Sequence, residues 1–298
     1  METESGSRVI RIGTRKSRLA MAQAMLAADA LKQADPEIRT EIVPLTTQGD
    51  RILDRSLVEF GGKGVFVSEF EQAIADGSID LAVHSAKDMP MDLMDGLKVC
   101  AVLKREDPRD VFVSVQGREA VHSPMIIGTG SLRRQIQIME RKHAVCRLLR
   151  GNVNTRLEKL LAGEYDGILL AAAGLKRLGL LEDPRFWYEF LPETEFVPAG
   201  GQGIIALEGR QDSPWMSLLE KINDREAEDS LMAERKVLRL MEAGCHSAVG
   251  VYSWRDGDTF HIRLMKESGG RPVYGEISGP RETYEDLAGK LVKQMEEV

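Results

Sequence analysis

Residues 167–175 read Gly-Ile-Leu-Leu-Ala-Ala-Ala-Gly-Leu, the longest apolar stretch of the chain. Its first part, Gly167 to Ala172, shows no polar alternation. Such a run is a strand covered on both faces, as in a parallel sheet between helices. The neighbouring sequence repeats one pattern, an apolar run, a Gly/Ser/Arg turn and a helical stretch. Val111–Val115 is a strand. Ile126-Ile127-Gly128 feeds GTGS and a helix from Leu132, and Val145–Leu149 leads through RGN to a helix ending at Leu161. On the N-terminal side, Val9–Ile12 is a strand. Ser17 caps the helix after it, whose Leu19, Ala22, Met25, Leu26 and Ala30 keep a period of 3.6. Glu41–Thr46, Ile79–His84 and Lys98–Leu103 are further strands, and Ser68-Glu69-Phe70-Glu71 after GGKG has capping-box spacing. Alternating strands and helices predict parallel sheets with helices on both faces.

The pattern breaks at KREDPRD, 104–110, and again near 222. Beyond it, Ala227, Leu231, Leu238 and Met241 share a helix face that Gly244 can stop. Val249–Trp254, Phe260–Met265 and Pro272–Ile277 alternate, with Asp256-Gly257 as a turn, and a closing helix puts Leu287, Leu291, Val292 and Met295 on one stripe. The expectation is a small α+β domain with an antiparallel sheet.

The chain has 298 residues, 43% hydrophobic and 29% charged, and no low-complexity tract, as in a folded globular protein. Its net charge is −7, from 40 Lys+Arg against 47 Asp+Glu, which argues against a general nucleic-acid or membrane-surface binder. No apolar run approaches the roughly 20 residues of a membrane span. The start, METESGSRVIRIG, has no secretory apolar region, and Cys100, Cys146 and Cys245 form no CxxC pair. A reduced, cytoplasmic protein is expected.

Against this acidic background, cations collect where strands end and helices begin. Arg15 and Arg18 lie in TRKSRLA, Lys63 in GGKG, Lys87 in HSAKD, Arg133 and Arg134 in GTGSLRR, and Arg150 and Arg156 on either side of GNVN. Ligands of open α/β sheets bind outside the carboxyl ends of strands, where helix N-termini favour anions and arginine adds bidentate contacts. The set predicts a site for a small polyanion. Each Arg alone also reads as a solvated surface charge. No Walker A or GxGxxG motif points to a nucleotide. Asp88 lies inside this cationic set; neighbouring cations would keep it ionised, able to stabilise a developing cation, although a plain turn Asp fits too. Cys100 and Cys146 sit in apolar runs and read as inert. Cys245, in Glu242-Ala243-Gly244-Cys245-His246, follows a helix stop on a loop, where covalent chemistry is plausible.

TRKSRLA, GGKGVFVSEFE, AVHSAKDMP, REDPRDVFVS, GTGSLRRQ, LRGNVNTRL, AAAGLKRLG, PAGGQG, AERKVLR and EAGC occur in the order of one family. Together they resemble the porphobilinogen deaminases, also called hydroxymethylbilane synthases. The resemblance implies two doubly wound, periplasmic-binding-protein-like (type II) α/β domains facing each other across a cleft, plus a small α+β C-terminal domain. The implied division is 1–104 with 198–221, then 105–197, then 222–298, the last carrying the cofactor cysteine. It also implies stepwise condensation of four porphobilinogen molecules, with loss of ammonia, into linear hydroxymethylbilane for tetrapyrrole synthesis. The implied cofactor is dipyrromethane, thioether-linked to Cys245. Asp88 would be the catalytic carboxylate beside the azafulvene cation. Arg15, Lys63, Ser85, Lys87, Thr129, Ser131, Arg133, Arg134, Arg150, Arg156 and Arg177 match cofactor and substrate contacts, with Gln202 and Gly203 a backbone segment near the cofactor. No metal, nucleic-acid or membrane partner is implied, and the family suggests a monomer.

The chain departs from the family pattern at Ala86, Gly130, Gly200 or Gly201, and His246. These changes bear on packing beside Asp88, a possible hydroxyl contact, hinge flexibility and the cysteine loop. Two rivals are a non-catalytic binding module for a polyanion and a phosphosugar or nucleotide enzyme.

Overall fold

The computed structural model describes residues 9–46, 68–243 and 247–297. These fall into two compact units, one of 9–46, 68–104 and 204–228, the other of 105–203, 229–243 and 247–297.

The first unit is built on β1 (Val9–Arg15), α1 (Arg18–Ala34), β2 (Arg39–Leu45), α2 (Ser68–Ala75), β3 (Leu81–Ser85), β4 (Leu97–Val102), β10 (Ile205–Arg210) and α6 (Met216–Ile222). Ser17 caps α1 by accepting from the Ala20 N–H at 3.3 Å. The capping box expected at 68–71 does not form. α2 already begins at Ser68, whose hydroxyl donates to Glu69, while Glu71 accepts from the Met94 N–H at 2.8 Å. Strand order is β2-β1-β3-β10-β4. β1 runs parallel to β2 and β3, but β10 runs antiparallel to both its neighbours. Ile10, Ile12, Leu81, Val83 and Leu207 pack under α1, and Ala82 and Leu97 face Phe70 and Ile74 of α2 on the other side.

The second unit contains β5 (Asp110–Val115), β6 (Met125–Gly128), α3 (Leu132–Arg141), β7 (Ala144–Arg147), α4 (Val153–Leu161), β8 (Gly167–Ala171), α5 (Ala172–Arg177) and β9 (Phe186–Leu191). Its sheet order is β7-β6-β8-β5-β9, and here β5 is the antiparallel member. The purely parallel sheets expected from periodicity are therefore mixed. Each holds one reversed strand, whose apolar pattern is indistinguishable from that of its parallel neighbours. Ile168 and Leu170, in the stretch that opened the sequence reading, are buried in the core of this sheet.

The same unit includes α7 (Arg225–Leu240, from Asp229 onward), β11 (Val249–Asp256), β12 (Thr259–Ser268), β13 (Arg271–Pro280) and α8 (Tyr284–Glu296). β11-β12-β13 is an antiparallel meander. Its inner face packs against Leu287, Leu291, Val292 and Met295 of α8 and Val237 of α7. The first hairpin loop is Gly257-Asp258, one residue later than expected, and the second is Gly269-Gly270, with all three glycines at positive φ. The architecture is α/β, as expected: two five-stranded sheets with helices and a small antiparallel sheet with helices.

Gly203 has φ +91°, and a Cβ there would overlap the Glu106 carbonyl oxygen, whose own N–H donates to Gly203 O at 3.1 Å. Gly179 also has positive φ (+64°) but faces open space. Left-handed backbone alone costs a non-glycine residue about 1–2 kcal/mol. Urea denaturation should therefore show Gly203→Ala losing clearly more stability than Gly179→Ala. Equal losses would mean that the Glu106 contact imposes no constraint.

Candidate functional site

In the first unit, the cationic and acidic residues singled out in the sequence stand at the carboxyl edge of parallel strands. β1 and β3 pair at Gly13–Ala82, and Arg15 closes β1, half-buried. β3 ends at Ser85 and turns at once into a 3-10 helix, Ala86–Asp88. Ala86 and Met89 are buried, so the turn is anchored on both sides while Asp88 stands exposed and Lys87 half-buried. Ser85 does not cap this turn. Its hydroxyl is engaged by Gln23 of α1, whose Nε2 donates to it at 2.8 Å. The sequence reading missed Gln23; the only signal was a polar residue on an otherwise apolar helix face. Lys63 lies outside the described residues.

In the second unit, β6, β7 and β8 are parallel and end at one edge. After β6, Thr129 is buried and accepts from the Ser131 N–H at 3.2 Å, and Ser131 caps α3 by accepting from the Arg134 N–H at 3.4 Å. After β7 comes Arg150, and then α4, capped by Asn152, with Arg156 donating to Gly151 O at 2.7 Å. After β8, α5 ends at Arg177, which donates to Gly203 O at 2.6 Å. Burial pushes the Arg177 guanidinium down to about 10, with Glu106 acting in the opposite direction.

Arg133 and Arg134 are not solvated cations; they are 4% and 6% exposed. Because β5 is antiparallel, its first residue, Asp110, pairs with Ala171, the last of β8. A fully buried carboxylate is thus delivered to the edge where the parallel strands end. Arg133 Nη1 donates to Asp110 Oδ2 at 2.6 Å and to Val197 O at 2.7 Å. Arg134 donates to Asp110 Oδ1 through Nη2 at 2.6 Å and Nε at 2.9 Å, and to Leu169 O at 2.9 Å. Gln202 Nε2 adds a bond to the same oxygen at 3.1 Å. Burial alone would raise the Asp110 carboxyl; the two guanidinium charges outweigh it and hold it well below the usual carboxylate range.

A second buried carboxylate, Glu234 of α7, accepts from Arg105 Nη1 at 2.6 Å, the Gly201 N–H at 2.6 Å, and the Ser253 N–H at 2.8 Å. Arg105 Nε in turn donates to Gln202 O at 2.9 Å. PAGGQG is therefore held by residues from 105, 234 and 253, a convergence with no sequence spacing to reveal it. Gly200 is closely packed, since a Cβ would come within 2.8 Å of Leu238 and 2.9 Å of Val251. The departure there reflects tight approach rather than looseness. Gly130 has room for a Cβ, 3.4 Å from Leu149 O.

Cys100 and Cys146 are half-buried, and burial pushes both thiols up to about 11, which leaves them weak nucleophiles. Gly244, Cys245 and His246 lie outside the described residues. Arg150 Nε is buried without a hydrogen-bond partner. An orphaned guanidinium donor at this edge fits a carboxylate-bearing group such as dipyrromethane.

Comparison with known proteins agrees with this chemistry. The family model described as porphobilinogen deaminase, dipyromethane cofactor binding domain, matches residues 10–217. A porphobilinogen deaminase of Acetivibrio thermocellus is 46% identical over 289 residues, 96% of this chain and 97% of that one. Among solved structures, the Bordetella pertussis BvgS periplasmic VFT2 domain is similar at TM-score 0.42 and 15% identity, over 76% of this chain and 93% of that one. CbnR, a LysR family transcriptional regulator, is similar at TM-score 0.46 and 8% identity, over 73% and 71%. With the family model spanning most of its length and near-half identity spanning almost all of it, the chain belongs to the porphobilinogen deaminase family.

Proposed function

We propose that this chain is a transferase that condenses four porphobilinogen molecules, releasing ammonia at each step, into hydroxymethylbilane for tetrapyrrole synthesis. The observation that carries this reading is the orphaned buried donor Arg150 Nε at the arginine-rich edge of the second unit, and within the first unit the exposed Asp88 carboxylate at a strand end supports it. Dipyrromethane, linked to Cys245, supplies the primer pyrroles from which the product chain grows.

Arg150, Arg156, Ser131 and Thr129 hold carboxylates at the end of the second unit's parallel strands, where N-termini of α3 and α4 add to the favourable field. Arg133 and Arg134, fixed by Asp110, form the charged floor of that edge. Arg177 and the Gln202–Gly203 segment shape its margin. In the first unit, Arg15, Ser85 and Lys87 stand at the strand ends beside the turn that presents Asp88, and Lys63 belongs to the same set by its match to the family pattern. The Asp88 carboxylate stabilises positive charge developing on a pyrrole as ammonia leaves. The division into 1–104 with 198–221, 105–197 and 222–298, a cytoplasmic location and a monomeric state belong to the same reading. Among the described residues, no helix is long and apolar enough to cross a membrane.

Intact-mass measurement tests the attachment. Purified protein should carry the extra mass of two pyrrole units, Cys245→Ala should lose it, and Cys100→Ala and Cys146→Ala should keep it. Retention in the Cys245 variant would refute the assignment.

The arginines divide by environment. Removing Arg134 leaves the buried Asp110 short of a charged partner, so Arg134→Leu should lower unfolding stability by about 3–5 kcal/mol. Arg150→Leu should leave the denaturation midpoint nearly unchanged but weaken cofactor or substrate retention by roughly 10- to 100-fold. The reverse pattern would exchange their roles.

Turnover tests Asp88. In folded, cofactor-loaded protein, Asp88→Asn should lose on the order of 100- to 1,000-fold in rate, and Asp88→Glu should retain more. An Asn variant within a few-fold of the parent would make Asp88 a turn residue.

A further inference from the structure

β3 is pinned from both faces immediately before the turn that presents Asp88. On the α1 face Gln23 holds Ser85 at 2.8 Å. On the α2 face His84 Nε2 meets Glu208 Oε2 of β10 at 2.9 Å. Glu208 is 0% and His84 9% exposed. Their surroundings are apolar: Phe70, Ile74, Ile79, Ala82 and Leu97 form the core on this face, and the His84 ring meets Phe70 edge-on at 5.3 Å. The second Glu208 oxygen, Oε1, is buried without a hydrogen-bond partner.

Such a pair is a poor source of stability. Burying a carboxylate with one oxygen unmet is costly, and apolar side chains of similar volume would fill the same space without that loss. What the pair does supply is geometry. Glu208 stands opposite Ala82, and Ala206 opposite His84, so the side-chain bond runs diagonally between β3 and β10. It fixes the register of β3 against β10 close to the C-terminal end of β3. The Ala86 N–H then donates to Ile204 O at 3.0 Å, and the turn Ala86–Asp88 follows with Ala86 buried. A one-residue slip of β3 would carry Asp88 to another place.

We propose that His84 and Glu208 are positioning residues for the condensation, holding the β3 end so that the Asp88 carboxylate is aimed in advance of reaction; this rests on the assignment of Asp88 above. Displacing a catalytic group by about 1 Å can cost on the order of 100-fold in rate. The effect belongs in kcat, because the pair touches no substrate.

The experiment is a double-mutant cycle on folded, cofactor-loaded protein, with kcat and KM for porphobilinogen measured in the parent, Glu208→Leu, Asp88→Asn and the double variant. Glu208→Leu should lower kcat roughly 10- to 100-fold with KM within about 2-fold, while Glu208→Gln, which keeps a partner for His84, recovers most of the rate. In the Asp88→Asn background, Glu208→Leu should change kcat by less than about 2-fold, because the group it positions is already lost. Equal losses in both backgrounds, or a Leu variant at the parental rate, would overturn the proposal. If Glu208→Leu does not fold, His84→Asn takes its place in the same cycle, with the same outcomes deciding. An active Asp88→Asn single variant would overturn the Asp88 assignment and the proposal with it, whereas an inactive one beside a fully active Glu208→Leu would overturn the proposal alone.

Discussion

Asp110 is the carboxylate on which the arginine-rich edge of the second unit depends. It is fully buried, and an isolated charge in that position would be strongly disfavoured. Two guanidinium groups and the Gln202 amide make the position tenable, and the dependence is mutual. Arg133 and Arg134 are themselves buried on the first turn of a helix, next to its positive end, where a cation is unfavourable without a counter-charge. One carboxylate therefore lets two adjacent arginines stand where a helix N-terminus already attracts anions. The net charge of that cluster stays positive.

A reversed strand is what makes this arrangement possible. Parallel strands send their carboxyl ends, and the loops that follow them, to one edge of a sheet. Only an antiparallel neighbour can bring its own first residue to that edge, as β5 brings Asp110 beside Ala171. The first unit uses the same device, since β10 starts at Ile205 opposite Ser85 and carries Glu208 across from Ala82. In both sheets the reversed strand supplies a buried carboxylate beside strands whose ends bear candidate residues. The carboxylates differ in their partners, a pair of arginines in one and a histidine in the other.

This accounts for a cationic site on an acidic protein. The chain carries a net charge of −7, yet the acidic residues near the site are largely consumed in pairs. Asp107 is held by Arg109, Glu106 by Lys176, and Glu234 by Arg105. Asp88 differs: it stands exposed on its turn and makes no side-chain hydrogen bond among the described residues. A carboxylate left out of the structural pairing is one whose charge is available to a ligand.

Local pattern was enough for most elements and for the family. Apolar periodicity marked β1, α1, α3, α4, β8 and the final helix, because each buries a face whose spacing is written in consecutive residues. The strand-to-helix turns bearing Arg15, Asp88, Arg133, Arg150 and Arg156 were legible for the same reason: the ligand edge of such sheets is a fixed place in the chain pattern. Strand direction was not legible, since β5 and β10 read like their neighbours and only long-range pairing, such as Asp110 with Ala171 and Ile205 with Ser85, reverses them. Nor could the sequence separate Arg133 and Arg134, buried on Asp110, from Arg150, whose Nε has no partner. It was equally silent on Gln23, Glu208 and Glu234. Their roles come from partners 62, 124 and 129 residues away, and only the closed tertiary structure brings such groups within hydrogen-bond distance.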